Sequence, residues 1–161
     1  MNTSGLVPDL TYNIVEGSLT GRLDGLSINA RAGSGGRYGS KTKGALNQWL
    51  ANNPFATHVK KTTKTPGGPL PLGYYKLVLH EKRKNWIRLV PFTENTMFGR
   101  DAFAIHGRGP RGSDGCIVPT DFNVVVDMCK ALRKRSDAGG KVPVLRVIAT
   151  GDLSRWESAI A

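Results

Sequence analysis

Long apolar runs, acidic side chains and cysteine are the scarce commodities of this 161-residue chain. No apolar run approaches the roughly 20 residues of a spanning helix, so no membrane span is expected. Met1–Leu10 (MNTSGLVPDL) has neither a basic n-region nor the apolar h-region that a Sec signal peptide needs, so none is expected by pattern. The two cysteines, Cys116 and Cys129, are too few for the disulfide framework of a small secreted scaffold. There is no CxxC and no HExxH, and the three histidines, His58, His80 and His106, are scattered. No metal site and no cofactor is therefore assigned. The glycine-rich stretch Ala32–Ser40 (AGSGGRYGS) lacks GK[ST] and lacks a strand-then-helix GxGxxG, so it reads as a loop and not a phosphate cradle.

Acids are outnumbered. Lys+Arg total 23 against 12 Asp+Glu, a formal charge of 23 − 12 = +11. Such an excess draws anionic partners, and nucleic acid and peptidoglycan fit it equally well. The two basic runs, Lys60–Lys64 (KKTTK) and Lys130–Arg135 (KALRKR), are not interleaved with aromatics, so the stacking platform of a single-strand binder is missing. The length suits one domain able to bury a core without metal or disulfide.

Hydrophobic patterning predicts a β-dominated α+β domain. Strands are expected over Leu10–Val15, Ser18–Arg22 and Leu26–Ala30, the last two joined at Asp24-Gly25, a favoured hairpin dipeptide. Lys43–Asn53 reads as a short helix with Ala45, Leu46, Trp49 and Leu50 on one face. Thr65–Gly73 (TPGGPLPLG) is too rich in proline and glycine for a helix or a central strand. A hairpin of Tyr74–His80 and Trp86–Pro91 follows, then a short strand Phe103–His106. A helix capped by Thr120 or Asp121 runs to about Arg135, stops at Gly139-Gly140, and gives way to a strand over Val142–Ala149.

The chemistry gathers in one loop. Cys129 sits at helical spacing beside Val125 and Leu132 and reads as core filler. Cys116 instead lies in PRGSDGCIVP, with glycine on its approach. Glycine there lets the backbone come close to a substrate, and nearby N–H groups can face a developing oxyanion. A thiol needs a base near neutral pH, and His106 stands ten residues upstream at the end of a predicted strand. Papain-type hydrolases place cysteine before histidine; here the order is reversed.

The segment from Ile105 to Ile117, IHGRGPRGSDGCI, resembles the active-site signature of the YkuD-type L,D-transpeptidases, in which HG is followed by a loop and S-x-G-C. His106 and Gly107 match the HG; Ser113, Gly115 and Cys116 match the serine, glycine and nucleophile. Asp114 and Val118 replace the histidine and arginine common in that family, and the loop is shorter than usual. A narrower group shares those features: the small L,D-transpeptidase-like effectors of type VI secretion systems. Gly67–Tyr74 (GGPLPLGY) and Met97–Arg100 (MFGR) resemble further segments of that group.

The resemblance spans most of residues 10–150 and implies a YkuD-like mixed β-sandwich or barrel with about two short helices. It implies cysteine-dependent acyl transfer on peptidoglycan tetrapeptide stems, as L,D-carboxypeptidase, D-amino-acid exchange or 3-3 crosslinking. It further implies injection into the target-cell periplasm, a secretion-system component as partner and a cognate immunity protein. Cys116 would be nucleophile and His106 base, with Gly115, Ser113, Gly107 and Asp114 supporting the loop. Arg100, Arg108 and Arg111 are the candidate carboxylate binders. Two other readings stay open: a housekeeping wall-remodelling transpeptidase, and a basic binding module for murein or nucleic acid that carries out no turnover.

Overall fold

A computed structural model describes residues 5–36, 46–107 and 114–160, with side chains as far as residue 157. Eight strands close into a barrel: β1 (Leu10–Asn13), β2 (Ser18–Leu23), β3 (Leu26–Ser34), β4 (Gly73–Leu79), β5 (Trp86–Pro91), β6 (Phe103–His106), β7 (Ile117–Pro119) and β8 (Val144–Ile148). Around the barrel the order is β1-β2-β3-β7-β6-β5-β4-β8. Neighbours run antiparallel except β1–β8 and β6–β7, which are parallel. Two helices complete the fold, α1 (Phe122–Asp137) and α2 (Ser154–Ile160). The β-dominated α+β class expected from the sequence is the class observed.

Period-two alternation fills the interior. Ile87, Leu89, Ile105, Ile117, Leu145 and Val147 are buried within one continuous core that also holds Tyr12 and Tyr75. On β4, β5 and β8 the residues between them face outward, Lys76, Arg88 and Arg146 being exposed, whereas β6 and β7 are buried throughout. Short turns set the register. Asp24 takes φ 53° in the two-residue turn that pairs Leu23 with Leu26. Asp121 caps α1 by accepting the Asn123 N–H, and Gly139, at φ 71°, follows its end. Val125, Met128, Cys129 and Leu132 form the buried face of α1.

One predicted helix fails. Of Lys43–Asn53, residues 43–45 lie outside the described set, and Leu46–Asn53 forms turns. Asparagine side chains compete with the helix there. Asn47 Oδ1 accepts the Trp49 N–H, and Asn52, at φ 51°, accepts from Tyr12 Oη and from the Ser34 N–H. The apolar face inferred from spacing does not exist, because Leu46 and Trp49 are both exposed. The second helix is instead α2, whose Trp156 is buried.

Candidate active site

His106 ends β6 and Cys116 immediately precedes β7, and these strands are parallel neighbours paired through Ile105 and Ile117. Ile105 and Ile117 point into the core. By alternation the next residue along, His106, and the preceding one, Cys116, face the outside of the barrel. Both line a cavity of about 480 Å³, together with Trp86, Phe103, Lys60, Lys61, Arg100 and Asp114. The loop between them crosses residues 108–113, so Arg108, Arg111 and Ser113 lie outside the described residues.

The imidazole of His106 is 3% exposed and held on two sides. Trp86, its register partner on β5, stacks on it with ring centroids 4.1 Å apart and planes 11° from parallel. Nδ1 lies 2.5 Å from the Gly107 carbonyl oxygen. A carbonyl only accepts, so Nδ1 carries the proton and Nε2 is the basic nitrogen. Gly107 is needed where it stands: a Cβ there would lie 2.3 Å from the Phe122 ring.

Cys116 sits on a wall braced by polar contacts. Ser34, buried at the end of β3, donates through Oγ to the Gly115 carbonyl (2.9 Å) and accepts the Leu70 N–H (2.9 Å). Asp114 accepts the Gly67 N–H through Oδ1 (3.1 Å), and its Oδ2 lies 3.6 Å from Lys61 Nζ. Gly115 takes φ 128°, and a Cβ would meet Phe103 at 2.5 Å and Arg100 at 2.7 Å. An L-side chain is excluded on both counts.

Arg100 is the keystone of that wall. Its guanidinium donates to the carbonyls of Thr57, Pro69 (2.7 Å), Gly68 (2.8 Å) and Asp114 (2.8 Å) and packs over the Phe103 ring. Only 8% of the residue is exposed. The sequence suggested a carboxylate binder here; the structure engages the guanidinium with backbone carbonyls from three segments. Burial lowers its pKa from the ordinary arginine value.

Burial likewise pushes the Cys116 thiol up to about 11. A hydrogen bond from the Ala104 backbone opposes the shift, Asp114 adds to it, and the charges of Arg100 and Arg83 oppose it. At rest this cysteine is therefore a neutral thiol, and attack requires proton removal. Cys129 is also a thiol and is not bonded to Cys116. Among the described residues no group of three or more His, Cys, Asp or Glu gathers as metal ligands, and no helix is long and apolar enough to cross a membrane.

Several site residues carry no local signal of a site, Lys60 and Lys61 standing out in the sequence only as part of a basic run. Trp86, Ser34, Lys60 and Lys61 come from segments distant from the Cys116 loop and reach it only through strand register and the path of the Thr57–Pro71 segment. No protein-family model matches this chain, and no curated protein or solved structure matches it.

Proposed function

We propose that the protein is a cysteine acyltransferase acting on peptidoglycan tetrapeptide stems, with Cys116 as nucleophile and His106 as base. The supporting observation is that these two residues, ten apart in a glycine-rich loop, line one cavity with the imidazole oriented by the Gly107 carbonyl. His106 Nε2 takes the thiol proton as Cys116 Sγ attacks the carbonyl at the L-centre of meso-diaminopimelate. The peptide plane joining Gly115 to Cys116 is held through its carbonyl by Ser34. The N–H of that plane, belonging to Cys116, points the opposite way and serves as an oxyanion donor. Collapse of the tetrahedral intermediate breaks the C–N bond; the departing D-alanine amine takes the proton from His106. The thioester is then resolved by water, by a D-amino acid or by the amine of a second stem.

Asp114 holds the nucleophile loop against Gly67 in this scheme, and Arg100 locks three backbone segments behind it. The role follows that of the injected effectors the sequence resembles: action in a target cell's periplasm, countered by a dedicated immunity protein. Mass spectrometry of tetrapeptide muropeptides after incubation, with and without a D-amino acid, tests the reading. Loss of D-alanine or its exchange is expected with the native chain. A loss of at least about 10³-fold is expected in Cys116→Ala with an unchanged circular dichroism spectrum. Equal product from the two proteins refutes the assignment.

A further inference from the structure

The six residues between β4 and β5 carry a second arginine whose setting contrasts with that of Arg100. His80 Nδ1 accepts the backbone N–H groups of both Lys82 (3.1 Å) and Arg83 (3.0 Å), which fixes the turn. The Arg83 guanidinium lies over the indole of Trp86, 4.4 Å from its centroid. Trp86 in turn lines the cavity of Cys116 and His106. Stacking occupies the flat face of a guanidinium and leaves its N–H edge for a planar, bidentate acceptor. Among the described residues that edge has no carboxylate or carbonyl partner. The adjacent acid, Glu81, is bound to Arg88 at 2.5 Å.

Arg83 thus lies behind a lining residue, while Lys60 lines the cavity itself. Lys60 is exposed and reaches over Gly99, where a Cβ would come within 2.8 Å of its Nζ. Arg100 is surrounded by carbonyls and does not offer its charge to a ligand, whereas Lys61 is shared between Asp114, 3.6 Å away, and solvent. Asp101 is the remaining acid of the lining. Lys60, Lys61 and Arg100 outweigh the two aspartates of the lining, and Arg83, laid on Trp86, adds to them.

We propose that Arg83, laid on Trp86, and Lys60 form a carboxylate subsite at the mouth of the Cys116 cavity, selecting acyl donors with a free carboxylate beside the scissile bond. This deepens the acyl-transfer reading and rests on it. Arg83 is held in place before a ligand arrives, by His80 at its backbone and Trp86 at its side chain, so little ordering is required on binding. Its charge is also felt at the Cys116 sulfur.

Two alkylating probes of equal reach test the subsite without any substrate. Cys116 is treated with iodoacetate, which carries a carboxylate, and with neutral iodoacetamide. The ratio of the two rates should fall about tenfold in Arg83→Gln, the size of one charge-assisted hydrogen bond. Lys60→Gln should lower it as well. Lys82→Gln, the same charge change one residue away, should leave the ratio within about twofold. On tetrapeptide stems, Arg83→Gln should raise KM about tenfold for the free acid with kcat little changed, and should leave KM for the terminal amide as it was.

An unchanged alkylation ratio in Arg83→Gln, or an equal fall in Lys82→Gln, overturns the subsite even if the native protein turns over stems. A ratio that responds as expected in a protein that releases no D-alanine upholds the subsite and removes the acyl-transfer reading instead.

Discussion

On the Arg100 side of Cys116 the strong polar groups are engaged within the protein, whereas on the Trp86 side Arg83 and Lys60 have no ion-pair partner among the described residues. Arg100 binds carbonyls of Thr57, Gly68, Pro69 and Asp114, and Ser34 joins the Gly115 carbonyl to the Leu70 N–H. Among the described residues Arg83 rests on an indole and Lys60 reaches over a glycine, and neither has an ion-pair partner. The two arginines are the same residue put to opposite uses. One holds three chain segments together at the expense of its own availability; the other remains available because its support is a ring face. A guanidinium reads as a ligand group only when its in-plane donors are not already taken.

Three measurements can break or sharpen this contrast. The largest effect concerns the thiol between the two sides. Burial raises its pKa to about 11, so the neutral form is favoured below that pH and the reactive thiolate grows as pH rises. Alkylation of Cys116 by iodoacetamide should therefore accelerate about tenfold per pH unit from neutrality toward pH 11. A plateau already reached by pH 8 would show a sulfur far less desolvated than the wall implies.

Next comes the wall itself. Arg100→Met leaves four carbonyls without their donor in a buried setting and should cost about 3 kcal/mol in urea unfolding. Arg83→Met, on the open side, should cost less than about 0.5 kcal/mol by the same measurement. Similar losses from both would erase the distinction. The smallest effect belongs to the exposed Lys61–Asp114 ion pair, 3.6 Å apart with Lys61 largely in solvent. Lys61→Ala should shift stability by no more than about 0.5 kcal/mol, and the shift should vanish in high salt.

Local features of the fold were legible in the sequence. β5 and β6 have the bounds that the patterning predicts, Trp86–Pro91 and Phe103–His106, and Asp121 caps α1 as its side chain suggests. The turns before Trp86 and after Leu23 carry residues suited to positive φ, Asn85 and Asp24. Barrel closure was not legible, because it depends on β7 entering between β3 and β6 and on β8 pairing parallel to β1. Such pairings join residues more than 80 and 130 positions apart, as Ala32 with Pro119 and Leu10 with Leu145 show. The same limit applies at the site. Cys116 and His106 share one short loop and could be paired by eye, while Trp86 enters through register and Ser34 through the end of a distant strand. The error at Leu46–Asn53 had a different origin: helical spacing was present, but asparagine side chains bonded the backbone in turns and tied the segment to β3 and Tyr12.

The stack of Trp86 on His106 gives the molecule an optical reporter of its own. An imidazolium against an indole accepts an electron from the excited ring and dims its emission, whereas neutral imidazole does so far less. Of the three tryptophans, Trp86 alone among the described residues lies face to face with a histidine. The Trp86 emission is therefore sensitive to the charge of the ring stacked on it. Trp86 also meets His80 edge-on at 6.3 Å, so the His106 signal is the part that survives in His80→Gln, with nothing bound.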